Sequence, residues 1–400
     1  LTNPTLRNFI ESYTQCKVPD ESTVRKNYVK QCYDLTIDKI RNEIQNHFIW
    51  VSIDETQDCE GRFIANIIVG TLDKNKQTTP HLLAVEQFQA TNSSTVSNFF
   101  INSMNLLWPN GIQYERVLLF VTDGASYMIK AGKALEVIFP NLVHLTCFAH
   151  GLHRIAETIR ANFPLVDKLI SSVKKVFVKA PYRKQAFKAT APDIPFPPEP
   201  IVTRWGTWLC AALYYTEHLD TVRIVVNNFD KKDAASIQIA QEVLNNRELE
   251  GNLAYISAHF SNLPSAISTL EGNNITLCDS LNAFKTTVTK LMSVPGSVGE
   301  VVKQKVNSVI SKNPGYGQIC EIVHVLEGKR GELPSKKKLT IEQVTAFKYA
   351  PLSSCDVERS FSRYKDILRN NRRRLTVENL KHLVIVNCNR KEDLDNSLEN

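Results

Sequence analysis

The sequence predicts an α/β protein, with α+β character, in which a mixed sheet packs between helices and a large all-helical region follows. Between about residues 47 and 160, short apolar segments rich in β-formers come first in a run of three and then alternate with helical segments. Six of the 17 prolines fall within residues 181–200, and nearly every window from Trp205 to about Leu326 has helical spacing. These observations indicate a five-stranded sheet with flanking helices, a proline-rich connection and a helical domain.

The composition is that of a globular protein. Apolar residues make up 43% and charged residues 22% of the 400, which excludes a wholly disordered chain. The net charge of +7 is compatible with a nucleic-acid partner without requiring one. No stretch reaches the roughly 20 apolar residues that a membrane span needs, so we expect no membrane association. The nine cysteines are scattered without a CxxC pair, which indicates reduced thiols rather than a disulfide framework.

The first elements are helical and are followed by a strand meander. Residues 5–45 carry apolar side chains at helical spacing. Because the chain opens on Leu1 rather than on methionine, we expect that a module precedes it. Strands are predicted at 47–54, 62–69 and 81–86, and the short polar or glycine-containing turns between them indicate antiparallel pairing.

Beyond the meander, helices and strands alternate. The sequence predicts a helix at 93–107, a strand at 116–122, a helix at 127–138, a strand at 144–147 and a helix at 150–160. Three strands followed by helix–strand repeats mix a hairpin sheet with parallel crossovers, as in a sheet that is covered by helices.

The later part of the chain is predicted to be helical. The prolines between 181 and 200 resist helix and strand alike, so this segment is interpreted as a linker. Amphipathic helices return near the C-terminus, at about 356–371 and 376–387. We therefore predict an N-terminal helical segment at 1–45, a sheet domain at 46–180, a linker at 181–204, a helical domain at 205–340 and a C-terminal part at 341–400.

Two aspartates stand where predicted strands end. Asp54 ends the first strand and Asp123 follows the fourth, so the two carboxylates meet if these strands are parallel neighbours. Two like charges in contact repel each other unless a cation lies between them, and oxygen ligands favour Mg²⁺ or Mn²⁺. Two such ions about 3.5–4 Å apart can stabilise both oxygens of a phosphodiester displacement. The alternative is that both residues are ordinary turn or helix-cap aspartates.

Other candidate residues lie in four short segments. Glu358 opens an amphipathic helix, and the densest cationic run of the chain follows it, which would suit a phosphate backbone or would be a solvated helix end. Cys147 and His150 have zinc-like spacing but lack a second Cys/His pair. Trp205 and Trp208 follow a cation, and indoles can stack on extruded bases, although a core position is the better interpretation of Trp208. The candidate DNA-binding residues are Cys147, His150, Arg204, Trp205, Arg369, Arg372, Arg373 and Arg374.

Together these segments resemble the hAT superfamily of DNA transposases, the hobo/Activator type. The resemblance spans about residues 47 to 390 and is carried by the motifs VSIDET, LLFVTDGASYM, CFAHGLHRI, TRWGTW and SSCDVERSFSRYKDILRNNRRRLTVENL. Residues 5–28 also resemble the segment after the zinc finger of the CGG triplet repeat-binding protein, so we expect a BED-type zinc finger before Leu1. The residues that follow Asp54 and Asp123 depart from the usual hAT pattern and indicate a divergent branch.

The resemblance implies an RNase H-like fold whose catalytic core is interrupted by a large helical insertion. The core would consist of 46–180 and 341–400, and 205–340 would be the insertion. The family carries a DDE triad of metal-binding acids.

Carried over to this sequence, the triad is Asp54, Asp123 and Glu358. Cys147 and His150 match the C-x-x-H motif near the family's active site. Trp205 matches the tryptophan that helps to stabilise the flipped base during hairpin formation.

The sequence therefore predicts a cut-and-paste DNA transposase with two Mg²⁺ or Mn²⁺ ions. The resemblance implies cleavage with a hairpin on the flanking DNA, then strand transfer into target DNA. The alternative is a domesticated relative that binds DNA or chromatin without catalysis; a nuclease acting on RNA–DNA hybrids fits the fold but not the insertion.

The expected partners are the terminal inverted repeats of a transposon, target DNA and a second copy of the chain, in the nucleus. The candidate dimer interface, for which a core role is equally open, comprises Leu375, Val377, Leu380, Leu383, Val384 and Val386.

Overall fold

The protein is described here by a computed structural model. It describes residues 3–201, 205–272, 275–334, 337, 339–368 and 376–390. The chain forms two compact units. Residues 1–147 and 317–400 form the sheet unit, and residues 148–316 form the helical unit.

The sheet unit is built on a mixed five-stranded sheet. The strands are β1 (Phe48–Gln57), β2 (Phe63–Leu72), β3 (His81–Phe88), β4 (Val117–Thr122) and β5 (Val143–Thr146). Their spatial order is β3-β2-β1-β4-β5, with antiparallel pairing from β1 to β3 and parallel pairing of β1 with β4 and of β4 with β5. This confirms the predicted α/β class and the mixed five-stranded sheet, and it is consistent with an RNase H-like fold.

Helices precede, connect and follow these strands. Those of the first part are α1 (Pro4–Thr14), α2 (Glu21–Thr23), α3 (Val29–Ile44), α4 (Ser93–Leu107) and α5 (Ser126–Ile138), with a π-helical turn at Val24–Tyr28 and a 3₁₀ turn at Tyr114–Arg116. The helices nearest the C-terminus are α16 (Ile341–Ala346), α17 (Cys355–Ile367) and α18 (Val377–Cys388), with a 3₁₀ turn at Phe347–Tyr349.

The two faces of the sheet are covered by different helices. All six residues of β4 are buried, as expected for a parallel strand inside a sheet. On one face, Phe100 of α4 packs edge-on against Phe120 of β4. On the other face, Asn66 of β2 donates a 2.7 Å hydrogen bond to Ser360 of α17. Because Asn66 pairs directly with Asp54 across β1 and β2, Asp54 points to the face that α17 covers.

The last helix of the sheet unit packs inside the unit. α18 lies against α3, β3 and α17, and the rings of Tyr33 and His382 stack with their centroids 4.2 Å apart. Leu380 and Val384 of the candidate dimer interface are buried in this packing. For these two positions the core interpretation therefore holds, and Leu375 lies outside the described residues.

The helical unit contains helices throughout its described part. They are α6 (Phe148–Ala161), α7 (Pro164–Phe177), α8 (Pro181–Thr190), α9 (Trp205–Asn227), α10 (Ala235–Leu244), α11 (Glu248–Phe260), α12 (Leu263–Glu271), α13 (Leu277–Met292) and α14 (Gly296–Ser311). A further helix, α15 (Tyr316–Leu326), begins at the last residue of this unit. Trp208 is buried and donates a 3.1 Å hydrogen bond to Asp167, which confirms its predicted core position.

One feature differs from the sequence predictions. Pro181–Thr190 is a helix rather than the start of an irregular linker. Pro181 occupies the first turn of this helix, where the backbone N–H that proline lacks would have no partner within the helix. The prolines from 192 onward lie outside the helix. The two compact units divide at 147/148 and 316/317, and the predicted domain bounds at 45/46, 180/181, 204/205 and 340/341 stay predictions. None of the described helices is long and apolar enough to cross a membrane.

Candidate functional site

Asp54 lies in β1 at the point where the pairing with β4 has ended. β1 pairs with β4 from Ile49 to Ser52, whereas its pairing with β2 continues to Gln57. The strand is therefore longer than predicted, because the hairpin partner supports it beyond the parallel part of the sheet. Asp54 is 8% exposed, and its Oδ1 accepts a 2.8 Å hydrogen bond from the backbone N–H of Glu55.

Glu358 lies in the first turn of α17. Carboxylates are favoured there because they meet the positive end of the helix dipole. The buried side of the same helix, which includes Val357, Phe361 and Tyr364, fixes its rotation on the sheet. Just before the helix, the backbone N–H of Ser354 donates to the Sγ of Cys147 at 3.3 Å. This contact holds the start of α17 beside the end of β5.

The fold brings Asp54 and Glu358 together although they are 304 positions apart in the sequence. One carboxylate oxygen of each lies within 4.8 Å of the other. Two carboxylates this close repel each other when both are ionised, and a cation between them removes that repulsion. Their oxygens are the ligands that Mg²⁺ and Mn²⁺ prefer, so the residues present fit a hard divalent cation.

Asp123 directly follows the neighbouring strand β4, at the position that corresponds to Asp54. It comes two residues after Val121, just as Asp54 comes two residues after Ser52, and Ser52 and Val121 are register partners. Its Oδ1 accepts a 2.9 Å hydrogen bond from the backbone N–H of Ala125, at the start of α5. Among the described residues, Asp123 does not join Asp54 and Glu358 in one set of mutually close ligand atoms. Its place in a triad therefore stays a prediction.

Glu55 and Tyr127 form a hydrogen-bonded pair that interacts electrostatically with Asp54 and Asp123. The Tyr127 hydroxyl donates a hydrogen bond to Oε1 of Glu55. Burial raises the pKa of Glu55, and the charge of Asp123 raises it further, while the Tyr127 hydrogen bond lowers it. The pKa of Tyr127 is raised by burial first and then by Glu55, Asp123 and Asp54. The Tyr127 hydroxyl is therefore neutral, and three nearby carboxylates, those of Glu55, Asp123 and Asp54, disfavour its ionisation.

The Cys147 and His150 pair is divided between the end of β5 and the beginning of α6. Cys147 is buried in the sheet unit, and its sulfur accepts from Ser354 as described above. His150 lies in the first turn of α6, in the helical unit, and is half-buried. Its role near the acids stays a prediction from the resemblance. The next histidine, His153, contacts Glu271 at 3.2 Å within the helical unit.

Five of the predicted DNA-binding residues lie outside the described part of the chain: Arg204, Arg369, Arg372, Arg373 and Arg374. Trp205 is the first residue of α9, and its side chain lies outside what the structure describes.

A second contact between β1 and α17 lies close to the acids. Just after β1, Asp58 accepts hydrogen bonds from the backbone N–H and the guanidinium of Arg62, at 3.0 and 2.8 Å, and from the Tyr364 hydroxyl of α17 at 3.0 Å. Burial raises the pKa of Asp58, but these hydrogen bonds outweigh it, and the net pKa lies below the ordinary value. The Asp58–Arg62–Tyr364 cluster thus anchors α17, and with it Glu358, to the end of β1.

Sequence reasoning missed Glu55, Tyr127 and the Asp58–Arg62–Tyr364 cluster. Glu55 directly follows Asp54, and Tyr127 comes four residues after Asp123, so closeness to the two predicted acids was an available signal. The Asp58–Tyr364 contact joins residues that are 306 positions apart and leaves no local pattern in the sequence.

One comparison with known protein families gives a match. A family model described as a domain of unknown function (DUF659) matches residues 19–176, which is less than half of the chain. This domain is found in hAT-like and zinc-finger BED transposase-related proteins, so the matched part of the chain is similar to a transposase-associated family. No curated protein matches the chain.

Proposed function

We propose that the protein is a cut-and-paste DNA transposase of the hAT type, with Asp54, Asp123 and Glu358 as its metal-binding acids. The observation that carries this proposal is that carboxylate oxygens of Asp54, in β1, and of Glu358, in α17, lie within 4.8 Å of each other. The match of residues 19–176 to a transposase-associated domain supports it independently.

The chain's own residues hold and orient the reacting groups in this proposal. Asp54 and Glu358 would hold a Mg²⁺ or Mn²⁺ ion, with Asp123 as a further ligand, and ions bound there would lower the pKa of attacking water or of a 3′-hydroxyl and stabilise the leaving oxygen. Asp54 is held by a central strand, and Glu358 is held by a helix that Asp58, Arg62 and Tyr364 anchor. Such supports keep catalytic carboxylates in one geometry.

The further steps rest on the resemblance. Excision would leave a hairpin on the flanking DNA, and strand transfer would join the transposon end to target DNA. Terminal inverted repeats, target DNA, a second copy of the chain and a nuclear location belong to the same proposal. The net charge of +7 is compatible with a polyanionic substrate.

The test is Mn²⁺-dependent nicking of supercoiled plasmid DNA by the unchanged chain and by Asp54→Asn, Asp123→Asn and Glu358→Gln. We expect nicking by the unchanged chain and a loss of at least about 100-fold in each variant, because each removes a charge that would hold the ion. Duplex binding, followed by fluorescence anisotropy, should persist in all three.

The matched control is Asp366→Asn, which removes an exposed carboxylate from the same helix as Glu358 and should nick DNA normally. Nicking that survives in the three variants would contradict the catalytic assignment. Duplex binding without nicking by the unchanged chain would replace the proposal with the domesticated, non-catalytic alternative.

A further inference from the structure

The sheet unit contains a cavity of about 510 Å³ on the face that α17 covers. Its apolar floor includes Ile68 and Leu82, which are register partners on β2 and β3, and the neighbouring Pro80. Its walls include Arg359 and Arg363 of α17 and Arg390, which follows α18. The cavity is therefore an apolar surface bordered by cations from two separate segments of the chain.

The charge of this cavity is unbalanced. Among the described residues that line it, three arginines accompany one acid, Asp356, which pairs with Arg359 at 2.7 Å. Two other cavities of the sheet unit differ in this respect. One is lined by Arg116 with Glu115 and Glu342, and the other by Lys74 with Asp73 and Glu342, so neither carries an excess of Arg or Lys over acids. The cavity beside α17 is the one of the three that is suited to an anion.

The two helix arginines are set side by side. Arg359 and Arg363 are four residues apart on α17, where side chains share a face and like charges disfavour each other. The Asp356 carboxylate holds the Arg359 guanidinium, and the Asn387 carbonyl accepts a 3.3 Å hydrogen bond from the Arg363 guanidinium. Both cations are thereby held at the cavity wall before any ligand binds, and an anion between them would remove their mutual repulsion.

The chemistry of the wall points to phosphate. A guanidinium donates two parallel hydrogen bonds to a phosphate group, and this is the geometry in which arginine surpasses lysine. A cavity of this size can accommodate a nucleotide-sized group, and its apolar floor can pack against a sugar or a base. A nucleic-acid strand and a free nucleotide share this chemistry.

The position of the cavity favours a strand. Arg363 comes five residues after Glu358, which is about 7.5 Å along the axis of α17. Along the axis of a duplex, each strand advances about 3.4 Å for each nucleotide, so this distance corresponds to about two nucleotides when the duplex axis runs parallel to α17.

We propose that this cavity binds backbone phosphates of a DNA strand, about two nucleotides from the phosphate that lies at Asp54 and Glu358. This inference rests on the function proposed above. It assigns Arg359, Arg363 and Arg390 to substrate binding and places the strand along α17.

The test measures binding of a fluorescein-labelled DNA duplex to the full chain by anisotropy, in EDTA, at salt concentrations from about 50 to about 200 mM. In Arg363→Ala and in Arg390→Ala we expect the slope of log affinity against log salt to decrease by about one, because each variant loses one phosphate contact. Affinity at the lowest salt should fall about tenfold. Arg363→Lys should keep the slope, since it keeps the charge, and should lose part of the affinity because it lacks the planar fork.

The matched control is Arg25→Ala, which removes an arginine that is ion-paired with Glu21 on the surface and should leave slope and affinity unchanged. Thermal unfolding checks that every variant is folded. Slopes in Arg363→Ala and Arg390→Ala equal to that of Arg25→Ala would overturn the proposal. Binding of ATP that depends on these arginines, combined with unchanged duplex binding, would also overturn it, because the ligand would then be a free nucleotide.

A separate readout distinguishes this proposal from the proposed function. Mn²⁺ binding should persist in Arg363→Ala, because this arginine is not among the acids that hold the ion. Asp54→Asn should keep the duplex affinity and salt slope of the unchanged chain in EDTA. If the arginine variants bind the duplex as the unchanged chain does, and Mn²⁺ binding is intact, only the assignment of the cavity is contradicted. If the unchanged chain does not bind Mn²⁺, only the assignment of the catalytic site is contradicted.

Discussion

Two aspartates at the same end of the β1–β2 hairpin have opposite electrostatic surroundings. Asp58 and Asp54 lie four residues apart, and both face side chains of α17. Asp58 meets a guanidinium and a hydroxyl, and its pKa is lowered as a result. Asp54 meets a second carboxylate, that of Glu358, within 4.8 Å. The first arrangement stabilises the fold without any ligand, whereas the second would need a cation to relieve the repulsion between its carboxylates, so the difference separates an anchor from a candidate active site.

The largest effect on stability is expected at the anchor. Asp58→Ala removes a carboxylate whose side chain is 1% exposed and leaves Arg62, 22% exposed, without its carboxylate partner. Breaking such a pair should lower the free energy of unfolding by about 3 kcal/mol, measured by urea denaturation. A loss below about 1 kcal/mol, the value typical of exposed ion pairs, would contradict the anchoring role.

Stability at low pH should report the same carboxylate. The folded-state pKa of Asp58 lies below the ordinary value of 3.8, so its contribution to stability is complete above that value and is lost as the pH falls through the folded-state pKa. Urea denaturation from about pH 6 to about pH 2 should therefore show a steeper acid loss in the unchanged chain than in Asp58→Asn. Equal pH dependence in the two proteins would show that Asp58 is not stabilised in its ionised form.

A smaller effect is expected from the hydroxyl that joins the anchor to α17. Tyr364→Phe removes the 3.0 Å hydrogen bond to Asp58 and leaves the Arg62 contacts in place. The free energy of unfolding should fall by about 1 kcal/mol. If Mn²⁺ binding falls as well, α17 depends on this hydrogen bond for the placement of Glu358; unchanged Mn²⁺ binding would show that Arg62 alone is sufficient.

The sheet could be predicted from the sequence because its strands are short apolar segments in a recognisable order. The order predicted parallel crossovers but left the pairing of β1 with β4 as a condition, and the structure shows that pairing, which aligns Asp54 and Asp123. The helix at Pro181–Thr190 was missed because proline content was weighted over its position, and a proline in the first turn does not oppose a helix.

The candidate site was less predictable because its contacts are long-range. Glu358 was singled out by its place at the start of an amphipathic helix before the densest cationic run. Its membership of a triad came from the resemblance, since nothing in the spacing relates it to a strand 304 positions earlier. The hydrogen bond of Tyr127 with Glu55 joins residues 72 positions apart. Arg359 and Arg363 lie in a segment that the sequence indicated only as an amphipathic helix. Such contacts depend on how elements pack, which local sequence patterns do not encode.

The most direct test of the central claim is a calorimetric titration of Mn²⁺ into the unchanged chain, Asp54→Asn, Glu358→Gln and Asp366→Asn, at a temperature where circular dichroism shows each protein folded. The account predicts that the unchanged chain and Asp366→Asn bind the ion, while Asp54→Asn and Glu358→Gln bind it at least about tenfold more weakly. Asp366→Asn removes the same charge from an exposed position of the helix that carries Glu358, which makes it a matched control. Equal Mn²⁺ affinity in all four proteins, or no binding by the unchanged chain, would contradict the claim that Asp54 and Glu358 form a metal site.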